Sequence, residues 1–257
     1  MFKKHELRML KKTIVLSVGV LGLGLGLAHA ASLEEADRLV EKADDLIEHA
    51  DVTIEAADEI VEAGDELVEE IDMIVEDALA AIMAGEQGFA DEAMCHADRL
   101  VEALDSIIEG NDALVEAVEQ LALDAQAKLL AVGSVDISGN KRGILRRIPG
   151  ALSKAESATD AAVVAIGAAD DAIEAADGAV EAADDAIEVY TGNFDPCVPG
   201  VGGTPTESNI VLADGAVEAA DDAIEAADEA IEAADAAIEA ADKAIEDLDK
   251  LLDKALS

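Results

Sequence analysis

Apolar and acidic residues alternate along most of the chain in a pattern that repeats every seven positions. The clearest stretch is Asp214 to Ser257, where the unit Asp-x-Ala-Ile-Glu-Ala-Ala recurs almost without interruption. On a helix, the three alanines and the isoleucine cover an arc of roughly 160°, and the acidic residues take the remaining face. Because this apolar face is too broad for one partner, we predict an amphipathic helix that packs against two neighbours.

The same pattern occurs in four segments separated by glycine- and proline-rich breaks. It predicts helices at about 33–84, 90–131, 151–189 and 209–256, with a basic loop at 132–150 and an irregular loop at 191–208. We predict an all-α fold in which residues 31–257 form one long antiparallel up-down-up-down four-helix bundle or coiled coil with alanine-rich heptad seams. We call the end with the turn near Gly85 and the loop 191–208 the tip, and the opposite end the base.

The first thirty residues are typical of a signal peptide. A basic start that includes Lys3 and Lys4 precedes an apolar run from Thr13 to Leu27, and Ala28-His29-Ala30 fits a cleavage site. We predict cleavage after Ala30 and export to the periplasm or the cell exterior. The alternative is an uncleaved N-terminal anchor.

The chain is strongly acidic, with 59 aspartate and glutamate residues against 17 lysine and arginine residues and a formal net charge of −42. Nucleic acid is therefore a poor partner, because phosphate contacts are made by lysine and arginine. High charge can also indicate disorder. Here the strictly periodic apolar half of the composition favours folded helices instead.

The predicted topology brings both cysteines and all aromatic residues of the mature chain to the tip. Cys95 and Cys197 therefore suggest a disulfide in an exported protein; two free thiols or an intermolecular bridge are the alternatives. Phe89, Tyr190 and Phe194 would either seal the end of the bundle or form a recognition surface for a protein partner.

Positive charges collect at the other end of the predicted bundle. Lys141, Arg142, Arg146 and Arg147 lie in the base loop, and we predict that they dock on an anionic envelope surface. Cations that complement helix C-termini explain part of this distribution. Further basic residues on segments near the base are Arg38, Lys42, Lys128, Lys154, Lys243, Lys250 and Lys254.

We find no pattern that indicates catalysis or a dedicated cofactor site. The glutamate-x-x-histidine pairs of di-iron bundles are absent, since Leu46 and Ala93 stand three residues before His49 and His96. No histidine lies in a plausible nucleophile triad. We therefore predict that the protein is not an enzyme and has no cofactor beyond weakly bound Ca²⁺ or Mg²⁺.

Carboxylates form columns on the polar face of each predicted helix. In the last helix the column includes Glu218, Asp221, Glu225, Asp228 and Glu232, whose spacing of three and four residues stacks them on one face. Oxygen-rich surfaces attract hard cations, although binding without a preformed cage is weak. The simpler interpretation is a solvated face suited to solubility or high salinity.

These observations predict an exported, non-enzymatic structural spacer, scaffold or interaction protein of the cell envelope, which could also form homo-oligomers. The alternative prediction is a low-affinity, high-capacity protein for divalent cations or mineral surfaces.

Overall fold

Five helices account for nearly all of the computed structural model, which describes residues 33–135, 142–191 and 207–257, without the side chains of 142 and 188–191. They are α1 (Leu33–Ala84), α2 (Gln87–Val132), α3 (Arg142–Leu145), α4 (Ile148–Thr191) and α5 (Glu207–Leu256). These described ranges contain no strand, so the all-α prediction is confirmed. The predicted signal peptide lies outside the described residues.

The turn between α1 and α2 shows why the first long helix stops. Gly85 has a φ of +80°, a left-handed conformation that favours glycine. Its N–H donates to Ile82 O at 3.0 Å, and the N–H of Glu86 donates to Ala81 O at 2.8 Å. This pair of bonds is the Schellman motif, which satisfies carbonyls left open at a helix C-terminus.

The predicted base loop contains more helix than the sequence pattern indicated. The four-residue α3 occupies Arg142–Leu145, and α4 begins at Ile148 rather than near residue 151. Pro149 lies in the first turn of α4, where a residue without an N–H is tolerated. The N–H of Ala151 donates to Arg147 O at 3.0 Å, so Arg147 is the residue that precedes and caps the helix.

Each long helix contacts two others. Cα atoms of α1 come within 8 Å of α2 and α5, and those of α4 come within 8 Å of α2 and α5. Among the described residues, α1 makes no such contact with α4, nor α2 with α5. The four long helices therefore enclose a common core, as expected for a helical bundle.

The core consists mostly of alanine and branched aliphatic side chains at seven-residue intervals. Alanine is the residue with the highest helix propensity, and its small side chain allows helix axes to approach closely. The large buried residues of one such series in α1 are Val40, Ile47, Ile54, Val61, Val68 and Val75. The corresponding series in α5 is Val217, Ile224, Ile231, Ile238, Ile245 and Leu252.

Candidate functional site

Two rows of aspartates face each other where α1 and α5 meet. Each row follows the seven-residue step, and every member is half-buried. Carboxylates opposite each other are close enough for their charges to interact across the helices. The six pairs, which we call the aspartate column, are Asp37–Asp249, Asp44–Asp242, Asp51–Asp235, Asp58–Asp228, Asp65–Asp221 and Asp72–Asp214.

Burial and like charge both raise the pKa of carboxyl groups in this column. The largest effect is at Asp44, where burial first and the neighbouring carboxylates second raise the pKa from 3.8 to about 6. Burial is likewise the leading cause of the raised pKa of Asp235 and Asp242. Lys250 supplies an opposing positive charge near Asp242 and Asp249. A large share of these aspartates therefore carries an unfavourable negative charge at neutral pH.

Several oxygens of the column accept no hydrogen bond from the described residues. They are the buried Oδ1 atoms of Asp37, Asp44, Asp58 and Asp228. At the Asp58–Asp228 pair, both partners contribute such an oxygen, and their charges interact across the two helices. In this pair, and in no other pair of the column, both partners have an Oδ1 without a hydrogen-bond partner among the described residues.

The acidic residues predicted on the last helix divide into two groups. Asp221 and Asp228 lie in the aspartate column and are half-buried, whereas Glu218, Glu225 and Glu232 are exposed. Sequence reasoning identified a column of carboxylates on each helix but did not predict that the rows on α1 and α5 face each other. Within the described part of the chain, no group of three or more potential ligands is arranged to hold a metal ion.

The structure places part of the predicted tip cluster beside one groove. Phe89 is 56% exposed and lines a groove of about 440 Å³ with Ile74, Cys95, His96 and Arg99. Tyr190 lies in α4, but its side chain is not among those described, and Phe194 and Cys197 lie outside the described residues. The Cys95–Cys197 disulfide and the aromatic recognition surface therefore remain predictions.

The predicted basic cluster is only partly within the described residues. Arg146 and Arg147 are exposed immediately before α4, whereas Lys141 and the side chain of Arg142 lie outside the description. Arg147 lines a second groove, of about 410 Å³, between the start of α4 and the end of α5. This groove brings Arg147 near Lys250 and Lys254, which are distant from it in the sequence.

Sequence reasoning missed the polar residues that are buried in the described part of the chain: Asn111, Thr159 and Asp170. Asn111 is fully buried, and neither its amide nitrogen nor its amide oxygen has a hydrogen-bond partner among the described residues. It interrupts an otherwise apolar seven-residue series in α2, between Leu104 and Val118. That interruption was the signal by which it could have been found.

Comparison with known proteins assigns no relationship to this chain: it matches no protein-family model and no curated protein. None of the helices formed by the described residues is long and apolar enough to cross a membrane.

Proposed function

We propose that the protein is an exported, non-enzymatic acidic spacer or scaffold of the cell envelope, built as an antiparallel up-down-up-down four-helix bundle with alanine-rich heptad seams. The aspartate pairs support opposite directions for α1 and α5, because Asp37 interacts with Asp249 and Asp72 with Asp214. Gln126 donates to Asp160 Oδ1, which supports a similar pairing of α2 with α4. Lys154 and Asp247 join α4 to α5 at 3.4 Å.

The observation that carries the spacer proposal is the continuous apolar core along the full length of the long helices. In α1 buried residues recur from Ala36 to Ala81, and in α5 from Ile210 to Ala255. At 1.5 Å per residue, the 52 residues of α1 span about 78 Å. Such an interior stiffens a rod and leaves little internal volume for a substrate.

The acidic surface supports the same proposal. A net charge of −42 keeps neighbouring molecules apart and soluble. Export follows from the signal-peptide pattern of the first thirty residues. A protein of this shape and charge would hold two envelope elements at a fixed distance or fill space between them.

Scattering and protein chemistry test these proposals. Small-angle scattering of the mature chain should give a monomeric rod with a maximum dimension of ~80 Å. A value near twice that length would refute the folded-back bundle, and a doubled mass would identify a homo-oligomer. N-terminal sequencing of the exported protein should begin at Ala31. Recovery of the chain with Met1 intact would instead support an uncleaved anchor.

The tip disulfide belongs to this proposal. In the proposed antiparallel arrangement of α2 and α4, the hydrogen bond of Gln126 to Asp160 would put Cys95 level with Thr191, the last residue of α4. Cys197 follows Thr191 by six residues, and six residues of extended chain span ~20 Å. Mass spectrometry of the non-reduced protein should recover a peptide that joins both cysteines. Recovery of two alkylated thiols would refute it.

Two contact surfaces extend the scaffold proposal. The tip groove around Phe89 would receive a protein partner, and the basic residues that include Arg146 would contact an anionic envelope surface. Replacing Phe89 by Ala should abolish capture of a tip partner, with the exposed Val164, which lies outside the tip groove, replaced by Ala as control. Unchanged capture would leave the tip as a structural plug.

A second candidate function is weak binding of many divalent cations. It is favoured by the aspartate column, in particular by the unpaired buried oxygens of Asp58 and Asp228. Calorimetric titration with Ca²⁺, compared with NaCl at the same ionic strength, should detect several weak sites. The variant Asp58→Asn/Asp228→Asn should lose more binding heat than Glu59→Gln/Glu229→Gln, which removes the same charge from exposed neighbours. Equal losses would show a diffuse ion atmosphere only.

A further inference from the structure

The groove between the start of α4 and the end of α5 gathers positive charge on an otherwise acidic molecule. It has a volume of about 410 Å³ and is lined by four cationic side chains: Arg147 and Lys154 from the α4 side, and Lys250 and Lys254 from α5. One acidic residue, Asp247, is among its described lining residues. We propose that this groove is a binding site for a phosphate-class dianion, either free phosphate or a phosphomonoester group.

Two of the four cationic side chains of the groove, Lys154 and Lys250, form ion pairs, and both pairs are exposed. Lys154 contacts Asp247 at 3.4 Å, but the two side chains are 63% and 55% exposed. Exposed pairs of this kind contribute little stability, so an incoming anion can displace the contact. Lys250 pairs with Glu246 along its own helix. A dianion with several oxygens can bind these lysines more strongly than single carboxylates do.

Helix stability does not account for the cations beside α4. The N-terminus of a helix carries partial positive charge and favours acidic residues, yet the first turn of α4 contains none. Arg147 stands immediately before that turn, and Lys154 follows in the second turn. Lys254 has a conventional explanation, because it lies in the last turn of α5. The placement of Arg147 opposes the helix dipole, and an anion bound between Arg147 and Lys154 would explain it.

Gly150 also lines the groove, in the first turn of α4. Arg147 O accepts from Ala151 N–H, which is the first hydrogen bond of the helix. The N–H of Gly150 precedes that bond and belongs to the N-terminal N–H groups that have no intrahelical acceptor. A Cβ atom at Gly150 would meet nothing within 4 Å, so this side of the backbone is open. The groove therefore combines a guanidinium and three ammonium groups beside the N-terminus of a helix, and phosphate recognition uses donors of these kinds.

This inference does not rest on the spacer function. It assigns a ligand class to one groove, and it holds or fails whether the protein is a scaffold or a cation binder. It also differs from general adsorption on an anionic surface, because it predicts one saturable site per chain.

Calorimetric titration of the full mature chain with inorganic phosphate tests the site. The measurement is made at a pH well above the second pKa of inorganic phosphate, so that the dianion predominates, and against chloride at equal ionic strength. We expect one saturable site per chain. Arg147→Gln/Lys154→Gln should weaken it at least about tenfold, as expected for lost charged hydrogen bonds. The control Lys42→Gln/Lys243→Gln changes the net charge equally at exposed positions outside the groove and should retain affinity.

Vesicles distinguish the source of the phosphate group. Phosphatidylcholine vesicles with and without phosphatidic acid are sedimented with the protein and with both double variants. Binding of inorganic phosphate without vesicle binding supports a free anion as the ligand. Phosphatidic-acid binding that only the groove variant loses supports a lipid headgroup. The proposal is overturned if neither probe binds above the chloride control, or if the two double variants lose binding equally.

Discussion

Replacing Asp44 by Asn should stabilise the protein at neutral pH. Asp44 faces Asp242 across α1 and α5, and its buried Oδ1 accepts no hydrogen bond from the described residues. Burial, the leading cause, raises its pKa from 3.8 to about 6. A carboxyl group whose pKa is higher in the folded state opposes folding when it is ionised. The stability of the native protein should therefore rise as the pH falls from about 6 towards 3.8.

The size of the effect follows from that shift. Each unit of pKa corresponds to ~1.4 kcal/mol, so a shift of about two units sets an upper bound of ~3 kcal/mol. Asp44 is only half-buried, and water screens part of the repulsion. We expect Asp44→Asn to raise the free energy of unfolding by ~1 kcal/mol above pH 7 and to give no gain below pH 4.

Urea unfolding followed by circular dichroism measures this difference at both pH values. Asp45→Asn is the matched control, because it removes the same charge from the next residue, which is exposed. The reasoning is refuted if both variants gain equal stability above pH 7, since general charge reduction would then explain the result. It is also refuted if the gain of Asp44→Asn persists undiminished below pH 4.

Three further substitutions test the core. Gly64→Ala should raise the free energy of unfolding by ~0.5–1 kcal/mol, because a Cβ there would lie 3.6 Å from Leu104 and Ile108, ordinary contact distances, and alanine has the higher helix propensity. The urea midpoint measures this gain, and a loss of stability would show that the space between Gly64 and the side chains of Leu104 and Ile108 does not hold a methyl group. Asn111→Val should gain ~1 kcal/mol by removing an unpaired buried amide, measured by thermal unfolding, and an unchanged midpoint would contradict the absence of a partner. Ala227→Leu should cost ~1–3 kcal/mol by overpacking a fully buried position, with exposed Ala226→Leu as the neutral control.

The burial pattern could be predicted from the sequence, because it depends on one helix at a time. A repeat of seven fixes which side of each helix is apolar, and positions such as Val40 and Ile224 are buried as that pattern requires. The pairing of Asp58 with Asp228 could not be predicted in the same way. Sliding one helix by seven residues past its neighbour restores the same apolar faces, so an ideal repeat does not determine the register between helices.

Register must therefore come from positions that break the repeat. Gly64 stands in α1 where the preceding steps of the seven-residue series have alanine. It lies against Leu104 and Ile108 of α2, so a small residue of one helix packs against large residues of the other. Asn111 follows Leu104 by seven residues in α2 and places an amide side chain in the core. A single buried polar residue is a known determinant of register in coiled coils, at a cost in stability. These local exceptions carry information that the regular part of the sequence lacks.

The aspartate column makes the stability of the fold depend on the ionic environment. Its twelve carboxyl groups lie beside the contact between α1 and α5, where many of the buried residues are alanines, so the packing of the two helices also brings like charges together. Asp44 and Asp235 show this by their raised pKa, of which burial is the first cause. Added cations or protons reduce the repulsion without altering the apolar contacts. The stability of the bundle should accordingly follow the salt and acidity of its surroundings, while its length stays fixed by the core.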